Sequence, residues 1–143
     1  MFCSIAKDKK NDQKNLLVWR GRNCFVVMNR FPYNSGHVMI VPYKHTAAME
    51  EFQDEENLEF MNVITQCITA LKTISHPEGF NVGVNIGRVA GAGIDRHIHF
   101  HVVPRWNGDA NFMPVLSDIK VVSEAIETTR AALAKRFKKI PLK

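Results

Sequence analysis

Three histidines, His97, His99 and His101, alternate with Ile98, Phe100 and Val102. The period of two predicts a strand with unlike faces, because side chains at i, i+2 and i+4 of a pleated chain point the same way. The apolar residues are expected to face the core, and the imidazoles to form a row with steps of roughly 7 Å. Three partly buried rings that served only packing would each need hydrogen-bond partners. The row suits two kinds of chemistry. Imidazole is a common metal ligand, and His-x-His on a strand can chelate. Only Asp95 and Asp109 stand nearby as further ligands, which weakens that reading. Neutral imidazole also attacks phosphorus, and protonated imidazole donates to phosphoryl oxygens or to a leaving group. One row could hold both roles.

Other elements must bring this row to a site. Leu16–Arg20 and Cys24–Asn29 read as a hairpin about Gly21-Arg22-Asn23, and His37–Pro42 as a third strand. Asp54, Glu55 and Glu56 suit a helix N-terminus, and Leu58, Met61, Ile64, Ile68 and Leu71 recur at helical spacing to about Ile74. His76 falls in the loop that follows. Phe80–Ile86 is a fourth strand, and residues 87–96 form a glycine-rich loop whose backbone N–H groups could approach an anion closely. Asp118–Val122 reads as a short strand. A last helix follows, with Ser123 as its N-cap, Ile126, Leu133, Phe137 and Ile140 on its buried side, and its end near Lys139. The order predicts one α+β domain over 1–143, with an antiparallel sheet of about five strands and two main helices. Its core covers about 16–139.

Several motifs occur together. They are His-x-His-x-His, a strand-end Asn29, Gly36-His37 followed by four apolar residues and Pro42, Asn85 before the glycine loop, and Pro104-Arg105-Trp106-x-Gly108-Asp109-x-Asn111-Phe112. This set resembles the histidine triad (HIT) family of nucleotide hydrolases and transferases over about residues 16–112. The segment from Pro104 looks like the branch of dinucleoside-polyphosphate hydrolases and phosphorylases. The resemblance implies a two-fold dimer with a sheet continuous across the pair. It implies cleavage at the α-phosphate of a dinucleoside polyphosphate or related nucleotide through a nucleotidyl-histidine. His99 would attack, His97 and His101 would bind phosphoryl oxygens and aid the leaving group, and His37 would support them. Asn29 would approach the ribose, while Asn85 and the backbone from Gly91 to Gly93 would hold phosphate oxygens. Val27 and Met39 could line an apolar base slot or be ordinary core. No cofactor is required for the histidine chemistry, although the substrate could carry magnesium. Phosphoramidate hydrolysis or another nucleotidyl transfer is an alternative reaction. A non-catalytic nucleotide- or metal-binding module is a third reading.

Two departures from the family pattern bear on this. Many relatives carry Gln-Ser or Gln-Thr where Gly93-Ile94 stands, so a hydroxyl that could assist the leaving group is missing. Zinc-binding relatives open with Cys-x-x-Cys, of which Phe2-Cys3-Ser4-Ile5 matches only the second half. Cys3 and His45 alone are too few ligands for a structural zinc, so no stoichiometric metal is expected. Zinc, if found, would fall on Cys3, His45 and His97.

Length and composition frame these expectations. At 143 residues with 45% apolar content, the chain is long enough for one core. No apolar run approaches the roughly 20 residues of a membrane span, and the N-terminus does not read as a signal peptide. Cys3, Cys24 and Cys67 are an odd, scattered set, pointing to a reduced, cytoplasmic setting without a disulfide framework. Cys24 and Cys67 read as small buried hydrophobes. The net charge of +5 is concentrated at the ends, with nine of 19 cations in 7–14 and 135–143. It implies no nucleic-acid partner but could attract anionic nucleotides at long range.

Overall fold

The computed structural model describes residues 1–109 and 125–139. Five strands make one antiparallel sheet: β1 (Leu17–Arg20), β2 (Cys24–Met28), β3 (Val38–Pro42), β4 (Gly79–Val84) and β5 (Phe100–Arg105), in spatial order β1-β2-β3-β5-β4. Every residue of β2 and β3 is buried, as their unbroken apolar runs require of inner strands. Among the described residues the α-helices are α1 (Phe2–Lys7), α2 (Asp54–Ser75) and α3 (Ile126–Phe137). Among the described residues, no helix is long and apolar enough to cross a membrane.

The long helix α2 covers one face of the sheet. It starts at a Gln53/Glu56 capping box, with the Gln53 N–H donating to Glu56 Oε2 at 2.9 Å, and ends at His76 in the left-handed region (φ 48°), just before Pro77. His76 is thus an exposed loop histidine. The buried stripe of α2 differs from the one its spacing suggests. Phe60, Val63, Ile64, Cys67, Ala70 and Leu71 face the core, while Leu58 and Met61 are 63% and 60% exposed. Two apolar series overlap in this helix. The one carrying Phe60 docks, because its ring meets Phe100 of β5 at 5.6 Å. Cys24 and Cys67 are fully buried free thiols within this core, and burial pushes both thiols well up.

Gly36 lies between these layers. Its φ of +76° suits glycine, and a Cβ there would come within 3.1 Å of Leu71 and 3.2 Å of Pro104. Helix α3 buries Thr129, Leu133 and Phe137 and brings the Phe137 ring to 5.8 Å from Trp19. The expected strand Asp118–Val122, the N-cap Ser123 and Ile140 lie outside the described residues. Helix α1 is an element for which the sequence carries no periodic signal. Arg20 of β1 donates to the carbonyls of Ile5, Ala6 and Asp8 and pairs with Asp12 at 2.6 Å, fastening the C-terminal end of α1 to the sheet.

Candidate active site

Cross-strand register assembles the site. Val27 pairs with Met39, Met39 with His101, and His101 with Gly83, one row across β2, β3, β5 and β4. Directly opposed residues share a face of an antiparallel sheet. Alternation along each strand then adds Asn29, His37, His99 and Asn85 to this face, opposite the one that carries Phe100 and α2. Gly83 contributes no side chain at the β4 end of the row. Val27 and Met39 are 2% and 6% exposed on the histidine face.

The three histidines do not form one straight row. Periodicity places all three in a strand, but β5 begins only at Phe100. The backbone before it is drawn toward the segment that follows β3, where Ile98 N–H donates to Thr46 O at 2.7 Å. His99 and His101 remain neighbours, with ring centroids 4.8 Å apart and edge to face. His97 turns away. Its Nε2–H donates to Pro42 O at 2.9 Å, and its Nδ1 lies 3.1 Å from His45 Nδ1 and 3.7 Å from Cys3 Sγ. Both of its nitrogens are therefore engaged, by Pro42 on one side and by His45 and Cys3 on the other. Its carbonyl remains central to the site.

The hydrogen bonds fix each tautomer. His99 Nδ1–H donates to His97 O at 3.0 Å, so Nε2 carries the lone pair. His37 Nδ1 accepts from Tyr33 N–H at 3.0 Å and faces Asn29 Nδ2 at 3.3 Å, so its proton sits on Nε2. That proton points to His101 Nδ1, 2.9 Å away. His101 must then be protonated on Nε2, and this buried N–H has no partner among the described residues. The site thus presents a bare ring nitrogen on His99 beside an unpaired donor on His101. Burial lowers the basicity of both rings, with His101 brought to about 4, so both are neutral at pH 7.

Two aromatic supports were not legible in the sequence. Tyr33 stacks on His37 with ring centroids 4.9 Å apart. Phe2, 2% exposed, places its ring 5.1 Å from His99 and 5.5 Å from His97. A single phenylalanine before a polar run carries no periodic signal, and the fold reveals its place only through Arg20 and α1.

Cys3, His45 and His97 form a second constellation. Their donor atoms all lie within 4.8 Å of one another, with Cys3 Sγ 3.2 Å from His45 Nδ1. Tetrahedral zinc, with bonds of about 2.0–2.1 Å to nitrogen and 2.3 Å to sulfur, needs donor separations of roughly 3.3–3.6 Å. These three donors fit, and the Pro42 carbonyl fixes the His97 tautomer that offers Nδ1. The ligand count is therefore three rather than the two counted from Cys3 and His45, because the bend before β5 delivers His97.

The amides occupy distinct places. Asn29 and Asn85 share the histidine face but lie at opposite ends of the strands, on the order of 20 Å apart by strand spacing. Antiparallel β2 and β4 end on opposite edges, and His101 and His99 lie on the diagonal between the two amides. Asn29 is also a support, with Nδ2 at His37 and Oδ1 accepting Phe31 N–H at 3.0 Å. Asn85 Nδ2 donates to Gly91 O at 3.5 Å, tying β4 to the glycine loop. Gly91, at φ +88°, and Gly93 line an open pocket there. At the end of β5, Arg105 pairs with Asp109 at 2.6 Å, and Asn34 Nδ2 donates to Asp109 at 2.7 Å, clamping the loop before His37. Arg105 holds the Asp109 carboxyl at about 2.

Comparison with known proteins agrees with this arrangement. An AP-4-A phosphorylase of Mycobacterium tuberculosis is 41% identical over 131 residues, which are 92% of this chain and 67% of that protein. An adenosine 5'-monophosphoramidase of Schizosaccharomyces pombe is 29% identical over 107 residues, covering 75% of this chain and 77% of that protein. The crystal structure of a zinc-bound histidine triad family protein from Mycobacterium smegmatis superposes with a TM-score of 0.76 at 23% identity, covering 96% of this chain and 92% of that one, a likeness of fold. The HIT domain model matches residues 10–108. With His99 and His101 posed on a five-stranded sheet and that match spanning most of its length, the chain belongs to the HIT domain family.

Proposed function

We propose that the protein cleaves dinucleoside polyphosphates at the α-phosphate through a nucleotidyl-histidine on His99. The observation that carries this is the anchoring of His99 Nδ1–H on His97 O, which leaves Nε2 as a neutral nucleophile. In the reaction, the Nε2 lone pair forms a bond to phosphorus while the bond to the bridging oxygen breaks. The leaving polyphosphate takes that electron pair. His101 Nε2–H meets an oxygen of the reacting phosphoryl group or of the leaving group. Because this ring is neutral, it acts as a hydrogen-bond donor rather than as a carrier of a spare proton. His37 and Asn29 hold that donor in place. Water or inorganic phosphate then attacks the phosphorus and frees His99, releasing a nucleoside monophosphate or diphosphate.

The base would lie against Val27 and Met39, the ribose near Asn29, and the reacting phosphate near Asn85 and Gly91 to Gly93. The relative named AP-4-A phosphorylase supports the substrate class. A phosphoramidate reading has the monophosphoramidase in its favour, but Gly93-Ile94 offers no hydroxyl to the leaving group. Cys3, His45 and His97 would hold zinc, as the zinc-bound relative suggests, and the ion would supply structural fixation of α1 against His97. The exposed edge of β4 at Asn81, Val82 and Gly83 is where a two-fold partner would continue the sheet. A reduced, cytoplasmic setting fits the three free cysteines. Product analysis after incubation with diadenosine tetraphosphate tests the proposal: AMP formed with water indicates hydrolysis, and ADP formed only with added phosphate indicates phosphorolysis. Neither product would overturn it.

A further inference from the structure

The glycine loop carries more than backbone amides. Arg88, Gly91, Ala92, Gly93, Asp95 and Arg96 line one open pocket. Among the described residues neither arginine forms an ion pair, although Asp95 stands in the same pocket. The two guanidiniums outnumber the one carboxylate, leaving donors turned to solvent where an anion can reach them. The pocket is also close to the reacting centre. Val84 pairs with Phe100, so Asn85 and His99 each lie one residue beyond the end of that ladder, and Asn85 in turn holds Gly91 O. A phosphate at His99 would therefore have its neighbours one loop-width from Arg88 and Arg96.

We propose that Arg88 and Arg96 form a second phosphate subsite, for a phosphate group other than the one His99 attacks. Planar guanidiniums recognise phosphate oxygens with paired, charge-assisted hydrogen bonds, and two lining this pocket suit a phosphate group next to the reacting one assigned to Asn85 and the glycine backbone. The inference rests on the proposed nucleotide reaction. Two sources can supply the group: the distal phosphates of a polyphosphate substrate, or the free phosphate that attacks the intermediate.

The test compares the wild-type protein with the Arg88→Gln/Arg96→Gln double variant. Calorimetric binding of AMP and of adenosine 5'-tetraphosphate is measured first, without reference to turnover. The wild type should bind the tetraphosphate at least about tenfold more tightly than AMP, and the variant should lose that difference while AMP binding stays unchanged. In steady-state assays, a KM that rises with the number of phosphates in the substrate only in the variant identifies the distal chain. An increase of about tenfold in the KM for inorganic phosphate, with the nucleotide KM unchanged, identifies the free phosphate. Equal tetraphosphate and AMP binding in the wild type, together with an unchanged phosphate KM in the variant, overturns the subsite. Tight, arginine-dependent tetraphosphate binding without turnover would instead sustain the subsite and remove the proposed reaction.

Discussion

Acidification should unlock the site at His101. Its ring is neutral with the proton on Nε2, and His37 Nε2–H is aimed at its Nδ1. Protonation would put two N–H groups face to face across that 2.9 Å contact. Burial, then the nearby His99, bring the His101 titration from 6.5 to about 4. The unfolded chain therefore binds the proton more readily than the native one between those values. A histidine depressed in this way contributes stability that is present above pH 6.5 and is lost as pH falls toward 4. Between pH 7 and pH 4.5 the linkage gives a loss of roughly 2 kcal/mol from this group alone. Urea unfolding at both pH values, in the wild type and in His101→Gln, isolates it, since a glutamine carbonyl can still accept from His37 Nε2–H. The wild type should lose about 2 kcal/mol more than the variant. Equal losses in the two proteins would refute the assigned tautomer and its low basicity. Burial lowers the basicity of His99 as well, so the acid limb of kcat/KM should lie below pH 6.5.

Three further outcomes follow from the contacts. His37→Gln should lower kcat about tenfold with KM little changed, as steady-state kinetics would show, since it weakens one buried hydrogen bond behind His101. Asn85→Ala should lower kcat more than it raises KM, and Asn29→Ala should mainly raise KM, each by the equivalent of roughly 1–3 kcal/mol; equal, negligible effects would place the nucleotide elsewhere. Elemental analysis of protein purified without added metal should find about one zinc per chain, and Cys3→Ala should remove it; a metal-free wild-type protein would leave Cys3, His45 and His97 as a hydrogen-bonded cluster.

Much of this arrangement was legible in the residues. Unbroken apolar runs locate β2 and β3 at the centre of the sheet, and the period of two that links His99 to His101 also puts Val27, Asn29, His37, Met39 and Asn85 on one face. What stayed hidden depends on contacts between segments distant in sequence. The bend that turns His97 toward Cys3 and His45 arises from a backbone bond between Ile98 and Thr46. The role of Phe2 requires α1, which Arg20 fastens from β1. In α2 two apolar series compete, and only the facing Phe100 decides for Phe60 over Leu58 and Met61. The separation of Asn29 from Asn85 follows from strand order, which local patterning does not carry.

The nucleophile is tested most directly by intact-mass and peptide analysis of protein quenched in denaturant during turnover of diadenosine tetraphosphate. A nucleotidyl adduct should be confined to the peptide containing His99, located on its imidazole and absent from His99→Ala, which should stay folded and bind AMP without turning over. A wild-type protein that completes turnover with no adduct, together with a His99→Ala variant of undiminished rate, would contradict it.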